Sequence, residues 1–190
     1  MRILAPALLA LLLAAAPALA AAPAAPAKAP AAKPAAPKPA APKPAGPSGG
    51  FDARNPASLI ALLATMGAKA EVVNSSDGDV KLAVTTPSFS FGAQFVDCGK
   101  TGQTCQGLAF STSSEKQHAN LAQLNAFNQT SITCRVFQDQ SARPHVVYST
   151  ILTAQDTREE MRIHLGVWQG CLVTFGAFLS DPAGYLASAP

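Results

Sequence analysis

Eleven prolines fall within the first fifty residues, nine of them between residues 23 and 47. Proline removes a backbone donor and clashes with the preceding turn of a helix, and it cannot sit in the middle of a sheet. A helix is therefore not expected over residues 21–50. Any domain has to be built from residues 51–190, and Gly46-Pro47-Ser48-Gly49-Gly50 marks the boundary. About 140 residues suffice for one ordinary domain that buries roughly two-thirds of its unfolded surface.

The composition divides at the same place. Five of the 14 basic residues (Arg2, Lys28, Lys33, Lys38, Lys43) lie before residue 51, and all 11 acidic residues lie after it. The formal charge of +3 thus belongs to the N-terminal segment, and the remainder carries a net −2. A nucleic-acid partner, which calls for a basic folded face, is not expected.

Within the first fifty residues, Met1-Arg2 gives a short positive start, and Ile3–Ala16 is apolar around Leu8, Leu9 and Leu11–Leu13. Ala18-Leu19-Ala20 supplies small residues for cleavage after Ala20. This pattern predicts a secretory signal peptide over 1–20 and a periplasmic or secreted protein. An uncleaved anchor is the alternative, with Pro6 and Pro17 against it. Residues 21–50 form an Ala/Pro/Lys-rich linker with a lysine every five residues, suited to an extended polyproline II spacer. Membrane contact is expected only through an uncleaved leader or this Lys-rich tail.

The remainder reads as an alternation of short elements. Asn55-Pro56 caps a helix over 56–66, with Gly67 as its stop. Lys69–Asn74, Val80–Val84, Phe89–Val96 and Cys105–Thr112 read as strands, the third with Phe89, Phe91 and Phe95 on one face. Ser114 and Gln117 resemble a capping box for a second helix over 116–129, lined by Leu121, Leu124 and Phe127. Ile132, Cys134 and Val136 alternate as a strand, and Val146–Leu152 follows a turn at 139–142. Asp156 and Glu159 open a long helix bearing Met161, Leu165, Trp168, Leu172, Phe175 and Leu179, which Pro182 ends. The order α-β-β-β-β-α-β-β-α predicts a single α+β domain with an antiparallel sheet packed by helices.

Several of these segments together resemble the YbjN-domain family. Asn55–Leu63 resembles its opening helix, and Phe91–Cys98 followed by Cys105–Phe110 resembles its cysteine-flanked hairpin. Leu124-Asn125-Ala126-Phe127-Asn128 resembles its second-helix signature, and Leu165–Leu179 its closing helix. The likeness spans about 55–181. It implies a bacterial sensory-transduction regulator with a fold like that of type III secretion chaperones, which are dimeric and non-catalytic. Cys134 and Cys171 stand outside the family pattern.

Four cysteines behind an export leader predict disulfides. Cys98 and Cys105 flank one hairpin and are expected to pair, which leaves Cys134 with Cys171. No Cys-x-x-Cys supports a redox role, and the 98/105 spacing is too wide for a zinc knuckle.

The other candidate groups point to no catalytic, cofactor or metal site. His118, His145 and His164 are scattered over three elements, and Glu115-x-x-His118 lacks the second copy that a di-metal site needs. Asp77 and Asp79 lack the final bidentate ligand of a calcium loop. Ser111–Ser114 lacks a nucleophile elbow. The long helix is apolar beyond one stripe, at Val167, Val173, Ala177 and Phe178, and so calls for a second buried surface. Trp168, Phe175 and Phe178 are the residues expected at a homodimer interface. The expected function is a non-catalytic module meeting a protein of the bacterial envelope. A small-molecule or lipid binder using the Phe89/Phe91/Phe95 face, or an enzyme without a local motif, are the alternatives.

Overall fold

A computed structural model of the chain describes residues 50–76, 78–115 and 119–189, all within one unit spanning Pro42–Pro190. The expected leader, nearly all of the expected linker, Asp77, Gln117 and His118 lie outside the described residues.

Asn55 accepts a hydrogen bond from the Ala57 N–H and, with Pro56 in the first turn, starts α1 (Pro56–Thr65). The chain leaves the helix through Met66 and through Gly67 at φ 78°, a backbone region open to glycine. The strands β1 (Lys69–Ser76), β2 (Asp79–Thr85), β3 (Ser90–Val96) and β4 (Gly107–Ser113) follow. Then come α2 (Leu121–Thr130), β5 (Arg135–Gln138), β6 (Pro144–Ile151), α3 (Arg158–Ser180) and α4 (Pro182–Ser188). The six strands form one sheet in the order β1-β2-β3-β4-β6-β5, and all neighbours are antiparallel. The architecture is the expected α+β.

Alternation decides which face is inside. Val80, Leu82 and Val84 of β2, Phe91, Ala93 and Phe95 of β3, and Leu108 and Phe110 of β4 are all buried. The register sets Leu82 beside Ala93 and Ala93 beside Phe110, so these residues share one face. Leu59, Leu62 and Leu63 of α1 and Met161, Leu165 and Trp168 of α3 complete the core. The Trp168 ring lies 5.6 Å from that of Phe91 and 6.0 Å from that of Phe110.

Four elements differ from the sequence reading. The second helix begins at Leu121, where Asn120 and Gln123 form the capping box; Gln117 of the expected box lies outside the described residues. Leu121 is consequently exposed, and the buried side of α2 is Leu124 and Phe127. β5 begins only at Arg135; Ile132 is 91% exposed and lies in a turn. Cys134 is buried ahead of the strand by its bond to α3. At the start of α3 the box is Thr157 with Glu160, while Asp156 instead accepts from the Thr153 N–H and hydroxyl. Finally, Pro182 opens a further helix, α4, with Asp181 as its cap. Tyr185 of α4 packs on Phe127 and Phe178, with ring centroids 5.7 Å away in each case, and so joins α2, α3 and α4.

Candidate functional site

Both expected cysteine pairs are joined: Cys98–Cys105 at 2.07 Å and Cys134–Cys171 at 2.04 Å between sulfurs. The first closes the β3–β4 loop at a junction of three segments. The Cys98 N–H donates to the Gly78 carbonyl of the β1–β2 turn, and the Cys105 N–H donates to the Arg54 carbonyl ahead of α1. The second ties the lead into β5 to the middle of α3, with both residues buried. These four residues act as staples.

The ionisable residues serve local structure. Asp139 turns the β5–β6 hairpin: its carboxylate accepts from the N–H groups of Ser141 and Arg143, from the Arg143 guanidinium, and contacts His145 Nε2 at 3.1 Å. The Arg143 backbone N–H, followed by His145, holds its carboxyl well below the usual carboxylate range. Phe137 stacks on His145 at 4.9 Å and 10° between planes. His164 on α3 meets the Tyr148 hydroxyl of β6 at 2.6 Å, and burial raises the Tyr148 phenol. His145 and His164 therefore have different partners. Asp79 accepts from the Gln94 side chain at 3.2 Å, and Glu115 faces Arg143 at 3.8 Å. Among the described residues, no three His, Cys, Asp or Glu side chains are gathered to hold a metal ion.

The aromatic strand face is a helix-covered core. Phe91 and Phe95 are buried, and Phe91 is covered by Trp168. Only Phe89, half-buried just before β3, reaches an open groove of about 1020 Å³, shared with Thr112, Leu172, Val173, Gly176 and Leu179. Trp168, Phe175 and Phe178, the residues expected at an interface, are all buried within the domain. Phe178 is taken up by Phe127 and Tyr185, and Trp168 by the sheet. What α3 shows to solvent is a different set, notably Ile163 and Val173.

The opposite face of the sheet carries no buried residue along its central strands. Its rows run Ala83-Gly92-Ser111-Val147 and Lys81-Gln94-Ala109-Ser149 across β2, β3, β4 and β6. Small side chains in the middle and longer ones at the borders leave two shallow hollows. One, of about 560 Å³, is walled by Lys81, Ala83, Gly92, Gln94, Ser111 and His145. The other, of about 280 Å³, is walled by Val96, Gly107, Ala109, Ser149 and Ile151. Of the residues in those two rows only Lys81 is charged. The sequence holds a signal for this face in the second register of each strand, but the strand order is needed to assemble it.

Fold and site together define a disulfide-stapled α+β module, with helices covering one face of a six-stranded sheet and the other face left open among the described residues. Residues 55–180 match the YbjN family, described as "Putative bacterial sensory transduction regulator". The chain belongs to that family. Comparison with curated proteins and with solved structures returned no match.

Proposed function

We propose that the chain is an exported, non-catalytic regulatory module that acts through protein–protein contacts in the bacterial envelope, with the open sheet face as its recognition surface. The observation that carries this reading is the face itself: wide and shallow, lined by small residues along its centre and bordered by Glu71, Lys81 and Arg135, it suits the burial of a protein surface better than that of a small molecule. The family's description as a regulator agrees with it. Two disulfides suit an oxidising compartment, and the N-terminal pattern supplies the export signal. In this reading the Ala/Pro/Lys-rich segment is a spacer, and any membrane contact runs through it or through an uncleaved leader.

The test is site-specific photo-crosslinking in cells. A photoreactive residue at Ala109 is expected to give a discrete adduct, and one at the exposed Glu159 of α3 is not. A form beginning at Gly50, exported from a foreign signal, should give the same adduct. Equal labelling at both positions, or none at Ala109, overturns the reading.

A further inference from the structure

The outer face of α3 repeats a pattern about its own midpoint. Ile163, Gly166, Gly170 and Val173 lie on one exposed stripe at intervals of three and four, opposite the core residues Leu165, Trp168 and Phe175. Read from residue 168, the stripe is a glycine two positions away and a β-branched residue five positions away in each direction. Ile163 is 59% exposed and Val173 75%.

Two further observations show that the domain's own packing does not account for this face. A Cβ at Gly166 or at Gly170 would meet nothing within 4 Å. Glycine in a helix interior is destabilising relative to alanine, so two of them here bring a cost that no contact among the described residues explains. The most apolar 18-residue stretch of the helix has mean hydropathy 1.3, yet only 33% of that stretch is buried. A core helix normally carries charge on its outer side. Here the charged residues of α3 are confined to Arg158, Glu159, Glu160 and Arg162, and the remaining turns carry no Lys, Arg, Asp or Glu.

We propose that this face pairs with the same face of a second copy of the chain, with the two α3 helices antiparallel about a twofold axis near residue 168. Gly166 of each copy then meets Gly170 of the other, which lets the backbones approach closely, and Ile163 meets Val173 at both ends. Such an interface is isologous and self-complementary, as a twofold dimer requires. The charge pattern selects the antiparallel arrangement. It places Glu159 and Arg162 against the uncharged turn of Thr174 and Ala177, whereas a parallel arrangement would set like charges side by side. It also opposes the helix dipoles. A stable interface buries about 1,200–2,000 Å². A helix pair alone falls short of that, and the groove that Val173 and Gly176 share with Phe89 extends the contact. This surface is distinct from the open sheet face and does not depend on its role.

The experiment is sedimentation equilibrium of the full chain with both disulfides formed, supported by circular dichroism. A concentration-dependent monomer–dimer equilibrium is expected. Val173→Glu should weaken it by about tenfold or more with the dichroism unchanged, since the side chain is exposed. Combining Ile163→Lys with Val173→Glu should restore it, because the new charges meet as opposites only when the helices are antiparallel. A parent protein that stays monomeric in concentrated solution overturns the proposal, as does a dimer insensitive to Val173→Glu. Failure of the double variant to restore association overturns the antiparallel pairing.

Discussion

The side-chain amide of Asn128 pairs with both backbone polar groups of Val136: its Nδ2 donates to the Val136 carbonyl at 2.9 Å, and its Oδ1 accepts from the Val136 N–H at 2.8 Å. β5 is an edge strand, and the amide occupies the place a further strand would take. α2 is thereby locked to the sheet edge, and the Gln138 side chain adds a second link by donating to the Ala119 carbonyl. Asn128→Ala would strand the N–H and C=O of a buried residue. The expected cost is about 1–3 kcal/mol, read by urea denaturation, with faster hydrogen exchange at the Val136 amide. Unchanged exchange would show that the Asn128 amide is not what protects the Val136 N–H.

Asn128 is visible in the sequence as part of a helix signature, but its role is not. Its partner is defined by which strand lies at the edge, and β5 reaches the edge only because β6 inserts between it and β4. Elements with a local cause are legible: Asn55-Pro56 starts α1 where it should, and Phe91, Ala93 and Phe95 face inward as their alternation demands. Starts are misplaced where two similar signals compete within a few residues. Ser114 with Gln117 precedes Asn120 with Gln123, and Asp156 with Glu159 precedes Thr157 with Glu160. At α3 the structure uses the later pair, and α2 is capped by Asn120 with Gln123. Pro182 reads equally as the end of one helix and the first turn of another. Without α4 there is no visible cover for Phe178, which is why that residue reads as an interface position when Tyr185 in fact encloses it.

The two disulfides should differ in what their loss costs. Cys98 and Cys105 are 7 residues apart in sequence, and Cys134 and Cys171 are 37 apart. In the loop-entropy account these closures contribute about 2.5 and about 4 kcal/mol. Cys171 is also fully buried in the middle of α3, so its replacement disturbs packing as well. Cys171→Ser is therefore expected to lower the melting temperature more than Cys105→Ser. Thermal melts that rank them the other way would show that the β3–β4 junction, where three segments meet, outweighs the longer loop.

Trp168 Nε1 is buried and has no hydrogen-bond partner among the described residues, although the ring is in contact with Phe91 and Phe110. An unpaired buried donor offsets part of what the indole gains from burial. Trp168→Phe removes that donor and keeps an aromatic ring, so it is expected to cost less than about 1.5 kcal/mol. Trp168→Ala opens a large cavity between α3 and the sheet and should cost about 3–5 kcal/mol. Denaturant melts of the two variants check this. Equal losses would mean that the indole N–H is engaged, for instance by an aromatic face.

Asp139 makes the stability of the β5–β6 hairpin depend on pH. Its folded carboxyl is held below the ordinary value by the Arg143 backbone N–H, His145 and the Arg143 side chain, so the folded state favours the charged form. A group depressed in this way stabilises the protein above its unfolded pKa of about 3.9 and loses that contribution as the pH falls through the folded value. Asp139→Asn should therefore melt below the parent at pH 7. The gap should hold down to about pH 5 and close progressively at more acid pH, where the parent's carboxylate takes up its proton. Comparing the two proteins cancels the acid response of Asp52, Glu71 and Glu160, whose carboxyls are also lowered. A gap that stays constant down to pH 2 would show that the hydrogen-bonding shape of residue 139, and not its charge, holds the turn.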